Sequence, residues 1–203
     1  MIKKEIYTIV NSKGLKYGEN EAKLWFNKAK KNPYDPTVVF VENQMLQVGK
    51  INQFSYDPKG KDILDYYDKK PLVISLGTMQ RNKKRYEIGI NLNFIPAPYK
   101  WSVLDIIQET YSTFFQRHKD NKHSNNALKQ QQIMYNYQLL KAVLKRYGVS
   151  FAMRTYIPSR KSKLYVINYN NWVDAAFLSL ENFEGISYER MQQEYRDYKN
   201  LTS

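Results

Sequence analysis

From Tyr86 to Phe94, apolar and polar residues alternate without a break. Tyr86, Ile88, Ile90, Leu92 and Phe94 hold the even positions; Glu87, Gly89, Asn91 and Asn93 hold the odd ones. A period of two over this length predicts a half-buried β-strand. Upstream, the run Leu72 to Leu76 predicts a second, more buried strand. Between them lies QRNKKR, with Arg81, Lys83, Lys84 and Arg85 clustered around Asn82. The pair reads as a β-hairpin with a basic tip. Pro96 and Pro98 are expected to end the second strand, because proline cannot donate to a ladder.

The same patterning places other elements along the chain. Short strands are expected at Ile6–Val10, Thr37–Val41 and Gln47–Tyr56, and a strand–turn–strand unit spans Phe151–Tyr169, its second strand being Leu164–Ile167. A helix is predicted from Asn20 to Lys31, with Leu24, Trp25 and Ala29 as its apolar face. Apolar residues recurring every three or four positions predict two long helices. One runs from Tyr99 to Arg117 on a stripe that includes Trp101, Leu104 and Ile107. The other runs from Asn126 to Tyr147 on Leu139, Leu140 and Val143, with Gly148 as its stop. WVDAAFLSL reads as a short helix capped by Asn170 or Asn171, and a charged helix is expected at Tyr188–Lys199. The Asn32–Pro36 stretch, with two prolines, is the best linker signal. These signals divide the chain into an N-terminal helical extension (1–36), an α+β core (37–183) and a C-terminal helix (184–203). Within the core, a small bent antiparallel sheet of about five strands, or a Src-homology-3-like barrel, packs against the two long helices. The N-terminal helix is an add-on.

Charge narrows the class of partner. The 203 residues include 32 Lys and Arg against 19 Asp and Glu, for a net charge of +13. Residues 101–163 hold 11 of the cations against 3 acids, whereas residues 164–203 carry more acids than bases. A basic body points to a polyanion, most simply nucleic acid. The cations gather at two turns. The first is the hairpin tip, Arg81/Lys83/Lys84/Arg85. The second is Arg160, Lys161 and Lys163 around Pro158. Arg154 and the helix-terminal pair Lys145 and Arg146 are candidates for the same face.

Several chemistries find no support. Cysteine is absent, which excludes disulfides and thiolate metal sites. The apolar runs are far shorter than the roughly 18–20 residues that span a bilayer, and the basic N-terminus has no apolar stretch of a secretory signal. No phosphate-binding glycine loop, dinucleotide fingerprint or nucleophile elbow occurs. The two histidines, His118 and His123, sit in a polar stretch without metal-ligand spacing. Asp62, Asp65, Asp68 and Glu87 are the acids that a metal-dependent nuclease would use. Their spacing is not that of a calcium loop, and Asp57, Asp62 and Asp65 suit turns and caps. No cofactor is called for and no catalytic residue is assigned.

Three stretches carry a family resemblance: FSYDPKGKDILDYYDKKPLVISLG, YEIGINLNFIPAP and RTYIPSRKSKLYVINYNNWVDAAFLSLENF. Their order resembles tailed-bacteriophage minor virion proteins known as DNA end protectors. The matching positions are Tyr56, Pro58, Lys59, Tyr66, Tyr67, Asp68, Pro71, Gly89, Asn91, Leu92, Tyr156, Pro158, Arg160 and Trp172. They cover residues 50–183; the first 45 residues add nothing to the likeness. The resemblance implies a non-enzymatic virion protein, assembled in the host cytoplasm, that sits with the genome end at the head–tail vertex.

Three readings follow. In the first, the basic tips meet DNA phosphates without sequence choice. In the second, the protein is a structural connector of a phage neck, tail or baseplate, alone or as an oligomer, and the tips dock on acidic protein surfaces. The third is the metal-dependent nuclease.

Overall fold

The computed structural model describes residues 19–42, 45–95, 99–100, 103–104, 106–107, 137–146, 148–178, 180, 182–185, 190 and 193. The expected strand at Ile6–Val10, both histidines, most of the two long helices and most of the C-terminal helix lie outside them.

The described chain opens with helix α1 (Glu19–Lys31), whose last turn carries Lys28, Lys30 and Lys31 at the negative end of the helix dipole. Ala22, Phe26 and Ala29 are buried and form its inner face, while Leu24 is exposed. The expected face was therefore rotated: the spacing 22, 26, 29 follows the helical repeat through small residues that a count of large apolar side chains passes over. These three residues enter the main core, so α1 packs as part of the body and not as a separate add-on.

Six strands make one antiparallel sheet: β1 (Val38–Val41), β2 (Ile51–Tyr56), β4 (Leu72–Arg81), β5 (Lys84–Asn91), β6 (Met153–Tyr156) and β7 (Lys161–Ile167). Their spatial order is β1-β7-β2-β4-β5-β6. A two-stranded ribbon pairs β3 (Tyr67–Asp68) with β8 (Phe183–Glu184). Helix α2 (Trp172–Phe177) follows β7 and buries Trp172, Ala175 and Ala176. Where the two long helices were expected, residues 99–100, 103–104, 106–107 and 137–146 are helical and place Val103, Leu104, Ile107, Leu140 and Leu144 in the core. Gly148 closes the second of them: it sits at φ +67°, its amide bonds the Lys145 carbonyl and the Val149 amide bonds that of Leu144. This is a Schellman stop.

The sheet is strongly curled. β2 and β6 stand three places apart in the order, yet Phe54 and Tyr156 meet edge to face at 5.2 Å. Glu87 on β5 and Lys161 on β7 are likewise three places apart and form an ion pair. Among the described residues no pairing closes the ladder into a ring, so what they show is the bent antiparallel sheet. The curl divides the interior in two. Leu72, Ile74, Leu76, Ile90 and the helices form the main core. Phe54, Val73, Tyr156, Leu164 and Leu46 form a second cluster on the concave side.

Two sequence features shape this sheet. The β4–β5 turn is a two-residue loop, Asn82-Lys83, with both residues at positive φ (50° and 59°), the mirror-image turn that matches strand twist. Gly89 lets β4 and β5 approach: a Cβ there would lie 2.2 Å from Val73 Cγ1 and 2.7 Å from the Ile74 carbonyl oxygen.

The alternation in β5 has a second consequence that its period alone did not reveal. The polar positions are not in water: Glu87, Asn91 and Asn93 are all essentially inaccessible. The strand ends at Asn91, ahead of the prolines, where the Asn91 side chain accepts from the Asn93 amide and starts a short 3-10 turn, Leu92–Phe94.

Candidate nucleic-acid interface

The hairpin tip presents Arg81, Lys83, Lys84 and Arg85 to solvent, all exposed. Among the described residues none of the four has an acidic partner. Below the tip opens a cleft of about 570 Å³. Arg81 and Asn82 form part of its rim. The loop after β2 supplies Pro58 and the exposed Lys59, the segment around β3 supplies Tyr66 and Tyr67, and the edge strand β6 supplies Arg154 and Tyr156. Nine of the fourteen motif positions named above line this cleft. A smaller groove adjoins it and shares Tyr56 and Tyr67 as a dividing wall; Lys61, Lys69, Lys70 and Arg160 line that groove. The two basic turns thus border one pair of adjoining depressions.

The floor of the cleft is a buried polar network centred on Asp68. One carboxylate oxygen accepts from the Lys70 amide at 2.9 Å and the Asn182 amide at 3.3 Å. The other accepts from Asn91 Nδ2 at 3.0 Å and Asn93 Nδ2 at 2.7 Å. Burial pushes the Asp68 pKa up, against the pull of these four hydrogen bonds. The network joins the β3–β8 ribbon to the end of β5 and makes the polar positions of β5 necessary. Asparagines in a strand were the missed signal, because that residue is disfavoured there unless its amide is used.

Arg154 lies against this floor. Its guanidinium carbon is 4.4 Å from the Phe94 ring centre and 5.8 Å from that of Tyr66, an arrangement that holds the charge by cation–π attraction. Its Nε is buried without a hydrogen-bond partner. The Tyr156 hydroxyl is also buried without a hydrogen bond of good geometry, although the Asn91 amide lies nearby. Burial raises its pKa well above the ordinary tyrosine value.

The remaining cations are distributed unevenly. Lys161 is not at a tip. It is 3% exposed, paired with Glu87, and its ammonium lies 5.5 Å from the Phe54 ring centre. Burial pulls its pKa down and the Glu87 charge only partly restores it. Its expected placement among surface cations is corrected: β7 begins at this residue and turns the side chain into the concave cluster. Arg160 is exposed and reaches Asp57 at 3.4 Å. Lys163 is exposed at a β-bulge with φ +54°, close enough to Lys30 to lower that residue's pKa together with burial and Lys70. Lys145 and Arg146 are exposed in a helix end and line neither depression.

The acids considered for metal binding do not gather. Asp62 and Asp65 are exposed. Asp68 is filled by its four donors. Glu87 is engaged by Lys161 and by the Leu46 amide at 2.7 Å. Among the described residues no three acidic or histidine side chains form a cluster that could hold a metal, and no helix is long and apolar enough to cross a membrane.

The described residues thus set a basic hairpin tip beside an aromatic-walled cleft on a curled α+β body. The particular family follows from comparison with known proteins: the chain belongs to the phage T4 terminal DNA protecting protein family, whose model matches residues 2–195. The match includes the N-terminal 45 residues, which the resemblance read from the sequence did not reach. No curated protein and no solved structure matches the chain.

Proposed function

We propose that this protein covers the end region of phage DNA through sequence-independent phosphate contacts, as a virion-associated and non-catalytic component. One observation carries the reading: four exposed cations, without acidic partners among the described residues, stand at the hairpin tip beside a cleft lined by residues that carry the sequence resemblance. Arg160 and Lys163 extend the same positive field, and Lys145 and Arg146 add charge from a helix end. Arg154 stands deeper, inside the cleft. Lys161 is removed from the set because its charge is spent on Glu87.

Phosphate contacts release counterions, so affinity falls with salt by roughly 0.9 log units per log unit of salt for each phosphate neutralised. Replacing Arg81, Lys83, Lys84 and Arg85 together by glutamine lowers that slope by about 3–4. Filter binding of a labelled duplex across a salt series measures it. Absence of duplex binding at about 50 mM salt defeats the DNA reading.

A structural role at the phage neck or tail is the second reading. The edge strand β1, unpaired on its outer side among the described residues, favours it, with Val39 49% and Phe40 55% exposed, since an open apolar edge is a ready surface for another chain. Phe40→Asp disrupts assembly with a portal or tail partner and leaves DNA affinity intact if that reading holds.

A further inference from the structure

The cleft has a composition that backbone contacts to a duplex do not require. Phosphates on a duplex surface are met by flexible, exposed cations such as those of the hairpin tip. A concave site walled by tyrosines is a different device. Tyr56, Tyr66, Tyr67 and Tyr86 are half-buried and line it, so each ring is held by the fold while part of it faces the opening. Lys59 and Arg81 stand at the rim and Arg154 within. The acid at the floor, Asp68, has both oxygens occupied by donors and offers no acceptor site of its own. Two buried polar groups remain unsatisfied inside: Arg154 Nε, a donor, and the Tyr156 hydroxyl. Aromatic walls, three cations and unspent hydrogen-bond capacity fit a ligand that combines a flat ring with an anion. A cleft of about 570 Å³ is of small-molecule size and admits no double helix.

We infer that the cleft takes a single unpaired terminal nucleotide of the DNA, its base stacked on the tyrosine walls and its phosphate held by Arg154, Lys59 and Arg81. The inference rests on the DNA reading above and deepens it. A base inside a duplex is stacked and paired and must be extruded to enter such a site, at a cost that is least for a base already unpaired. The terminal pair frays. A pocket for one splayed nucleotide therefore turns a protein with general phosphate affinity into one that prefers ends, without reading sequence, because every base has a face to stack.

The test separates this inference from the DNA reading. The full-length protein is bound to a short labelled blunt duplex. The competitor is either relaxed closed-circular plasmid or the same plasmid cut into short blunt fragments, at equal base-pair concentration. The fragments are expected to compete roughly ten- to a hundredfold more strongly, the value of one stacked base. Arg154→Gln brings that ratio to about one, as do Lys59→Gln and Tyr86→Ala, the last two with competition by circles unchanged. A tip variant that spares the cleft, Lys83→Gln/Lys84→Gln/Arg85→Gln, weakens both competitors and keeps the ratio. Lys59→Gln, on the surface, gives the same reading if Arg154→Gln fails to fold, as thermal melting will show. A deoxynucleoside monophosphate displaces end-bound protein only. Circles and fragments that compete equally overturn the inference while leaving the DNA reading intact. A labelled duplex that does not bind overturns both. A free monophosphate that quenches tyrosine fluorescence while fragments gain no advantage over circles assigns the cleft to a free nucleotide and also overturns it.

Discussion

Lys161→Met tests whether the concave cluster depends on its internal charge pair. The wild-type pair is almost fully inaccessible, with Lys161 3% and Glu87 0% exposed. Removing the lysine leaves the Glu87 carboxylate buried, with the Leu46 amide as its one hydrogen-bond donor among the described residues. Breaking a buried pair from one side costs about 3–5 kcal/mol, a large part of the roughly 5–15 kcal/mol that holds a domain. For a chain of this size the melting temperature falls by roughly 6–20 °C. The double variant Lys161→Met/Glu87→Gln behaves differently. Glutamine keeps an oxygen for the Leu46 amide and carries no charge, so the double variant returns to within about 1–2 kcal/mol of wild type, about 2–3 kcal/mol more stable than Lys161→Met. Urea denaturation followed by circular dichroism measures both variants against wild type. A single variant within about 1 kcal/mol of wild type refutes the account of the pair.

Three further outcomes are expected. Lys83→Gly relieves a left-handed residue in the hairpin turn and stabilises the fold by about 0.5–1 kcal/mol, while the salt slope of DNA binding falls by about 0.9; thermal melting and filter binding read the two effects separately. Gly89→Ala forces β4 and β5 apart and costs about 1–3 kcal/mol or more, which chemical denaturation will show; an unchanged midpoint contradicts the close approach. Lys161→Met, assayed where it remains folded, leaves the salt slope within error of wild type, whereas a drop like that of a tip cation returns Lys161 to the DNA-contacting face.

Local features were the legible ones. The β4–β5 hairpin could be read because alternation, the preceding apolar run and the basic tip around Asn82 all fall within about twenty residues, although the strands run on through that tip to a two-residue turn. The Gly148 helix stop is equally local. Long-range partners were not legible. Nothing near Lys161 distinguishes it from Lys163 two residues on; the difference is Glu87, brought across the curl by strands far apart in sequence. The alternation of Tyr86–Phe94 gave the period and the inner face but could not say what covers the other face, which is the Asp68 network and the concave cluster. Motif residues such as Tyr67 and Tyr156 carried family likeness without a stated role, and their convergence on one cleft was not legible from their spacing.

The strand order has a consequence for synthesis. β2, β4 and β5 are all made by residue 91, yet the outer side of β2 waits for β7: Tyr56 is partnered by Lys161. Until that segment leaves the ribosome, the nascent meander has an open edge and an unneutralised Glu87 facing its concave side. A charge directed inward on an unfinished sheet discourages another chain from adding to it. The distant lysine then supplies both the last neighbour and the counter-charge, so closure of the sheet is a late event that couples the two halves of the chain, and pairing over such separations is slow.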